Sequence, residues 1–595
     1  MIKKTGKKER DMIAGMFFSA ALALIFTQVA GVVATIIDGI ITSRYLGKDA
    51  YSAVSLLSPF TGTLVLLAGF ISTGCQVVCA QMIGNGKKEE ANKVFSFSVF
   101  LTALLCVLMI AGCILFPGQL IAVCGVSTAK NQAIYPEMLN YLHGYMLGIP
   151  ALMMIQVVGP MVVMDGGKKL FSMSAAFLCI VDIIGDIMNA LVFKGGNFGM
   201  GMATSIALFL QLLTILAHFF MKKGYFRFSF KDCSFKWFKD IARAGSPTFV
   251  RKLATVLRDL LINRMNLAVA LSTAAVAARG MQNDLNTLMF CIGLGIGKTL
   301  LSMTGIYYGA YDKKGLKRLF VVAARTGILL SGGAGLICFL CAGLIARGYT
   351  SDPEVIELSV FSIRCMALSL VLDTLLVSFQ NYLQGIGNRK LVNLMNFGER
   401  LFVPVLTAFF MGRFFGSKGI MASIAVSKVL LAVMMLIVVG IRCRRFPRSF
   451  EDYMFLPEGF GGDDSDNCDA LLYDMEDVMR ESRMAEEFCL GHGIDKTKAR
   501  WMALFVEEMA GNIVKHGKPR RKGSICVDYK LVISGDRVCL CLRDYCEFFD
   551  PTEYYEAHRD SNADENIGIK MVMGHAKEVQ YYYTFNSNNL LLYMD

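Results

Sequence analysis

Charge is scarce in this sequence: Asp, Glu, Lys and Arg make up 18% of 595 residues, against 54% hydrophobic side chains and a mean hydropathy of +0.49. So few charges cannot wet the surface of a soluble protein of that length, which leaves a polytopic membrane protein with something attached. No disulfide framework can be drawn. The 18 cysteines are scattered mostly through apolar runs, as at Cys106, Cys179 and Cys291, where they read as small packing residues on an intracellular protein. No G-x-x-x-x-G-K-[ST] loop occurs, so nothing supports the motor of an ATP-driven exporter. Histidine is down to 6 residues, and no second His or Cys stands at zinc-ligand spacing from His516. The first apolar run is too long for a cleavable signal and lacks a processing site, so none is expected. The net charge of +12 lies in short loops between apolar runs rather than along one soluble face, which argues against a nucleic-acid partner.

What is present is length in the apolar runs. Twelve of them can cross a bilayer, at about 12–40, 51–83, 94–116, 134–164, 170–193, 199–221, 246–270, 275–308, 319–346, 356–385, 391–415 and 419–441. With the N-terminus inside, the cytoplasmic side receives Lys3, Lys4, Lys7, Lys8, Arg10, the loops at 87–93 and 168–169, the 222–240 linker with Lys222 and Lys223, Lys313 to Arg318, Arg389, Lys390 and Arg442 to Arg448. The opposite side keeps Arg44, Lys48, Lys130, Lys194, Arg347, Arg413 and Lys418, roughly 26 basic residues against 7. A multi-pass protein of the cell membrane, in contact with lipid and with both termini and the C-terminal domain in the cytoplasm, is the expected arrangement.

The membrane part also repeats itself. IGNGKKEEANKVF at 83–95 aligns with YGAYDKKGLKRLF at 308–320, DGGKKL at 165–170 with IGNRKL at 386–391, and SIA at 205–207 with SIA at 423–425, at offsets of about 220 residues. The chain therefore divides into an N-lobe at 1–221, a linker at 222–245, a C-lobe at 246–441, a second linker at 442–466 and a C-terminal domain at 467–595. The expected membrane fold is all-α, twelve helices in two six-helix repeats.

Through IIDGIITSRYLGKDAYSAVSL, the paired basic loops and QGIGNRK, residues 12–441 resemble the multidrug and toxic compound extrusion (MATE) transporters. The resemblance implies antiport of Na⁺ or H⁺ against small amphipathic organic compounds, often cationic, by alternating access of two lobes. Acidic residues inside spans are functional candidates because an unpaired charge there is costly. Asp38 matches the acidic residue of that family's first span, and Asp182 and Asp186, with Asn189 continuing their face, match a polar pair of its fifth. In the second half Asp259 and Asp284 have Arg258, Arg264 and Arg279 close by in sequence. Asp373 has no near cation, which makes it the coupling candidate of that lobe.

The C-terminal domain is organised around FVEEMAGNIVKHG at 505–517. Glu508, Asn512 and His516 fall at i, i+4 and i+8, one stripe of a helix, with Ala503, Leu504, Val506, Met509, Ile513 and Val514 opposite. A carboxylate, an amide oxygen and an imidazole in a row suit Mg²⁺ and phosphate; the plain alternative is an amphipathic helix with an ordinary wet face. Downstream, LCLRDYCEFFDP at 540–551 reads as an alternating strand ending in Asp544, and NIGIKMV at 566–572 as a turn opening a helix. In that order residues 467–595 resemble the histidine-kinase-like (GHKL) ATPase fold, an α+β domain, on the branch of the anti-sigma-factor serine kinases. The resemblance implies ATP and Mg²⁺ as cofactors. Glu508 would activate water or a hydroxyl and lie at the metal with Asn512; Lys515 and His516 would face phosphate; Asp544 would accept from the adenine amino group; Gly568 would let the backbone approach the phosphates. Two departures stand out, Cys546 and Asn566 where that family usually has glycine. Cysteine tolerates left-handed backbone poorly, so the turn at 545–548 must be built differently.

Two functions follow. One is a secondary-active exporter regulated by a nucleotide-binding tail, with an ATPase, a serine/threonine kinase and a sensor as the open alternatives for that tail. The other is a membrane-anchored signalling protein whose tail acts on a regulatory protein partner. The 442–466 join, basic at its start with Pro447 and Pro457, is expected to meet anionic headgroups and to hold the tail beneath the bundle near the loops at 84–93, 222–240 and 311–318.

Overall fold

The computed structural model describes residues 2–47, 50, 53–54, 56–85, 87–124, 134–220, 226–269, 273–310, 312–349, 352–457, 460, 466–519, 525–534, 537–558, 567–584 and 587–594. The side chains of 2–12, Asp259, Arg264, Arg279 and Asp284 lie outside the described residues, as do Lys48, Lys130, Lys222, Lys223 and Asn566.

The membrane part is a bundle of long helices: α1 (Ile2–Ile41), α2 (Ser58–Gly84), α3 (Lys88–Leu115), α4 (Ile134–Met164), α5 (Lys168–Met188), α6 (Gly196–Phe220), α7 (Phe238–Val269), α8 (Thr273–Gly309), α9 (Lys313–Leu340) and α10 (Pro353–Gly385). Short polar side chains start several of them. Asp312, Asp352 and Asn388 each accept a hydrogen bond from the first free N–H groups of the helix that follows, at Gly315 (2.9 Å), Glu354 (2.9 Å) and Leu391 (3.4 Å). Beyond α10, helical hydrogen bonding runs on from Arg389 to Cys443, but Gly416 has φ 60° and ψ −144°. An ideal β-carbon on Gly412 would lie 2.8 Å from Ile420, whereas residues eight apart in one straight helix are separated by about 12 Å. The chain therefore turns back at Gly416, and 389–415 (α11) and 417–443 (α12) form a hairpin.

Among the described residues ten helical stretches are long and apolar enough to cross a membrane. The twelve expected segments reduce to ten for two physical reasons. The hairpin at Gly416 makes the last two a single stretch, and α7 carries Arg251, Lys252, Arg258, Asp259 and Arg264, too much charge for a purely apolar span.

The two halves meet most closely at one end of the bundle. A β-carbon on Gly84 of α2 would overlap the Ile306 carbonyl of α8, and one on Gly309 would overlap the Gln81 carbonyl, so backbone approaches backbone there. Polar side chains bind the same end: Gln81 Nε2 donates to the Gly385 carbonyl of α10 at 2.8 Å, and Gln76 to Ser302.

The C-terminal domain covers this end. Strands β1 (Asn467–Leu472), β2 (Val527–Ser534), β3 (Arg537–Asp544), β4 (Glu578–Thr584) and β5 (Ser587–Met594) form one antiparallel sheet in the order β1-β2-β3-β5-β4, with Asp544 paired to Val527 and Asn588. Helices α13 (Met475–Gly491), α14 (Lys496–Phe505), α15 (Pro551–His558) and α16 (Ile567–His575) complete it. Strand alternation divides the sheet into two faces. Val527, Tyr529, Leu531, Val538, Leu540, Leu542, Leu590 and Leu592 pack on the helices. The other face puts Cys539, Cys541, Tyr582, Leu591 and Tyr593 against the hydrophobic core of the bundle.

Charge pins that second face to the bundle. Arg543 NH1 donates to the Tyr307 hydroxyl (3.1 Å), its guanidinium lies 4.6 Å from the Tyr307 ring centre, and Nε donates to Asn589 Oδ1 (2.8 Å). Lys530 pairs with Asp312 (3.2 Å), Arg543 with Asp528 (3.4 Å), and Lys314 with Asp469. The tail thus meets the 312–318 segment, one of the three basic loops expected to lie near it. The join is not a string of free basic residues either: Arg442 NH2 donates to the Leu456 carbonyl (2.8 Å), Arg445 pairs with Asp452 (2.9 Å), and Tyr382 donates to the Met454 carbonyl (3.0 Å).

Burial pushes the Asp528 carboxyl up to about 6 even with Arg543 beside it. Burial also pushes Asp312 up, but Lys530, Arg543 and the Gly315 N–H together outweigh it and hold this carboxyl below the usual range. The docked state therefore holds a proton on Asp528 that an exposed sheet face would release. Docking should tighten as pH falls from about 6 to about 4, and the contribution of Asp312 is lost only below that. Energy transfer between dyes on the bundle and the domain should rise from pH 7 to pH 5 in the wild type and stay flat in Asp528→Asn; a fall on acidification contradicts this.

Candidate functional site

In the N-lobe, α5 presents Asp182 and Asp186 one turn apart, and α1 packs against it with Asp38. The carboxylates of the three lie within 4.8 Å of one another. Asp182 and Asp186 are buried and Asp38 half-buried. Oδ1 of each, and Oδ2 of Asp186, is enclosed with no hydrogen-bond partner among the described residues. Three carboxylates so close in a low-dielectric setting repel one another, and a cation among them would offset that repulsion. Tyr141 and Tyr145 of α4, stacked at 5.6 Å, lie close enough for these charges to act on them; the sequence reading did not single them out. Asn189 does not join the group. A π turn at Asn189–Phe193 ends α5, and the Asn189 amide is spent on backbone, donating to the Gly196 carbonyl (2.9 Å) and accepting from the Gly195 N–H (3.1 Å).

In the C-lobe the expectation that Asp373 has no near cation is corrected. Lys428 of α12 pairs with it and, at 2.8 Å, with Glu399 of α11, which also takes Arg400 NH2 at 3.2 Å and the Gln380 amide. All five residues are buried. Neither Lys428 nor the Glu399–Arg400 pair was picked out from sequence, although each stands as a charge inside an apolar run, which is the signal that picked out Asp38. Lys428→Met leaves two buried carboxylates facing one guanidinium and should cost about 3–5 kcal/mol, seen as a lower unfolding midpoint in detergent. Adding Glu399→Gln should recover part of the loss. An unchanged midpoint in the single variant contradicts a paired network. Asp259 and Asp284 have side chains outside the described residues.

In the C-terminal domain the expected straight stripe is broken. After α14 comes a π turn at Val506–Ala510 and then a short helix at Gly511–His516, so the extra residue per turn rotates Glu508 relative to Asn512. Lys515 and His516 are exposed at the end of that helix, and the Asn512 amide makes no hydrogen bond among the described residues. Glu508 meets α16: a β-carbon on Gly568 would overlap its Oε2, so the carboxylate sits directly against the glycine backbone. Asp544 is buried at the end of β3, where its Oδ1 accepts from the Cys546 N–H (2.8 Å) and from Asn588 Nδ2 (2.8 Å). Cys546 needs no left-handed backbone, because its turn is tied instead to 518–519: Glu547 N donates to the Lys518 carbonyl (2.9 Å), and Pro519 bridges to Cys546. Glu508 and Gly568 are thus brought together, Asp544 sits at the end of the neighbouring strand, and Asn566 lies outside the described residues.

The family model MatE matches residues 23–188 and 247–408. Curated relatives include the multidrug export protein MepA of Staphylococcus aureus, 21% identical over 433 residues that cover 71% of this chain and 93% of the relative. The MepA of Staphylococcus haemolyticus is 21% identical over 441 residues, 72% and 94% of the two chains. Among solved structures, the outward-facing conformation of a multidrug resistance MATE family transporter superposes with a TM-score of 0.67 at 19% identity, over 73% of this chain and 96% of that one.

Proposed function

This chain belongs to the MatE family, and from that premise we propose that its bundle is a secondary-active exporter of small organic compounds, coupled to Na⁺ or H⁺ and regulated by an ATP-binding C-terminal domain. The observation that carries the coupling is the group Asp38, Asp182 and Asp186, three carboxylates within 4.8 Å with enclosed oxygens lacking donors among the described residues. Binding a cation there removes the repulsion between them; releasing it restores the repulsion. A site of that kind biases the two lobes between alternative packings, provided the cation prefers one of them. The basic loops support twelve crossings with both termini and the C-terminal domain in the cytoplasm of a multi-pass cell-membrane protein.

The C-terminal domain is read as a GHKL-type nucleotide site. The donor set suits the group: the Glu508 carboxylate lies against Gly568, and Asn512 offers an amide with no hydrogen bond among the described residues. Asn512 and Glu508 would hold Mg²⁺, Gly568, Lys515 and His516 would lie at the phosphates, and Asp544 would read the adenine. Bound ATP would supply its anionic triphosphate, a charge that binds differently to different arrangements of the domain. Glu508 would orient a water or hydroxyl. Docking of the sheet on the bundle favours regulation of transport over a free signalling module, since Arg543, Lys530 and Asp469 are engaged with α8 and α9.

ATP binding by the full chain tests the second part. Titration with a fluorescent ATP analogue and Mg²⁺ should saturate, and Asn512→Ala and Asp544→Ala should each weaken binding by about 10-fold or more, the scale of losing one buried polar contact of about 1.4 kcal/mol. Both variants should retain ion-driven transport. Binding unaffected by either substitution, or none in the wild type, contradicts the nucleotide reading.

A further inference from the structure

The charges inside the two lobes have opposite sign. The N-lobe site holds Asp38, Asp182 and Asp186, with no lysine or arginine among their described partners. In the C-lobe, α7 carries Arg251 and Lys252, and α8 carries Lys298. Helices α7 and α11 are fixed in register by Asn396 Nδ2, which donates to the Pro247 carbonyl at 2.9 Å. Four residues further along each helix stand Arg251 and Arg400, both advanced by about 6 Å, so the two guanidinium groups share one level. Arg400 also lies over the Phe290 ring of α8 (4.7 Å), and Phe290 and Lys298 fall on one stripe of that helix. Helix α7 packs on α2, α11 and α12, whereas α8 packs on α1, α2, α9 and α10. Lys298 of α8 lies close enough to Arg251 and Lys252 of α7 for their charges to act on one another.

Among the described residues no ion pair neutralises them, and the one carboxylate there that acts on the trio is Glu399, through Arg251, itself already held by Lys428, Arg400 and Gln380. Among the described residues the side chains of Arg251, Lys252 and Lys298 make no hydrogen bond and no ion pair. Lys252 is exposed and the other two are half-buried. Three like charges inside a membrane bundle are costly unless an anion or water meets them. Phe249 and Val256, exposed on the same face of α7 one turn to either side of Lys252, add apolar surface beside the charge.

We propose that the compound carried by this protein is an amphipathic organic anion, its acidic group held by Arg251, Lys252 and Lys298 and its apolar body lying against Phe249 and Val256. This rests on the exporter reading for the movement of the compound, but not for its binding. An anion bound there offsets the repulsion between α7 and α8, while the coupling cation acts at the carboxylates of the other lobe. The two sites are then chemically distinct, and each ligand is repelled by the site of the other.

Carboxyfluorescein and ethidium serve as probes of opposite charge. Equilibrium binding to the full chain in uncharged detergent, and flux under a Na⁺ or H⁺ gradient in phosphatidylcholine vesicles, should both be seen with carboxyfluorescein and not with ethidium. Lys252→Gln with Lys298→Gln should weaken carboxyfluorescein binding at least 10-fold, while Lys252→Arg with Lys298→Arg should stay within about 3-fold of the wild type; a 1.4 kcal/mol change corresponds to tenfold. Ethidium bound and moved with carboxyfluorescein ignored overturns the anion site and leaves the exporter standing. Lysine-dependent binding of carboxyfluorescein without flux of either probe keeps the anion site and removes the exporter reading. Absence of binding, or equal binding by the glutamine variant, overturns the inference.

Discussion

Asp38→Asn is expected to abolish the proposed ion-driven export while leaving the protein folded. The substitution keeps the side-chain shape but removes the charge that Asp182 and Asp186 press against within 4.8 Å. Two carboxylates remain, and the pair no longer needs the same cation. The expected fall in gradient-driven flux is about 100-fold, since a charge-dependent step worth roughly 2.7 kcal/mol is lost. Asp186→Asn should behave alike, because both oxygens of Asp186 are enclosed without a donor. Flux in proteoliposomes, measured against the Na⁺ or H⁺ concentration outside, checks both. Wild-type ion dependence in either variant removes the carboxylate group from the coupling step.

Arg543→Ala releases the C-terminal domain. That guanidinium is buried between the Tyr307 hydroxyl, Asn589 and Asp528, with Asp312 and Lys530 close by. Its removal leaves the half-buried Asp528 without its ion-pair partner, a change that costs up to about 3 kcal/mol and falls on the docked state, because an undocked sheet face is open to water. Hydrogen exchange should rise sharply at 442–457 and along β2, while the helix-facing core around Leu540 and Leu592 stays protected. Arg543→Lys should give an intermediate result, since it keeps the charge but loses the fork that reaches Tyr307 and Asn589 at once. Exchange at 442–457 equal to wild type means that Arg543 does not hold the two parts together. Loss of protection in the strand core means that it stabilises the domain rather than the docking.

Much of this was legible from local pattern. Apolar length placed the helices, and the alternation of LCLRD from 540 to 544 anticipated β3 with Asp544 at its end. Asp38, Asp182 and Asp186, far apart in sequence, came together because α1 and α5 are neighbours in the bundle. The missed features depend on partners or on backbone that spacing does not encode. Asp373 looked isolated because Lys428 reaches it from α12, 55 residues away. Asn189 looked like a continuation of the acidic face until a π turn shifted it into a backbone cap. The same irregularity at Val506–Ala510 broke the stripe of Glu508, Asn512 and His516. The second face of the sheet, with Lys530, Cys541 and Arg543, carries mixed polar and apolar residues that suit water equally well; only the bundle beneath makes sense of it.

The proposed driver of the bundle is an ion gradient, not nucleotide hydrolysis. Purified full chain in sealed phosphatidylcholine vesicles, loaded with a charged fluorescent probe and free of nucleotide, is given a Na⁺ gradient and, separately, a pH gradient. Probe movement that follows one of these gradients, collapses with the matching ionophore and continues without ATP is the predicted result. Movement that appears only with ATP and Mg²⁺ and ignores both gradients would contradict it.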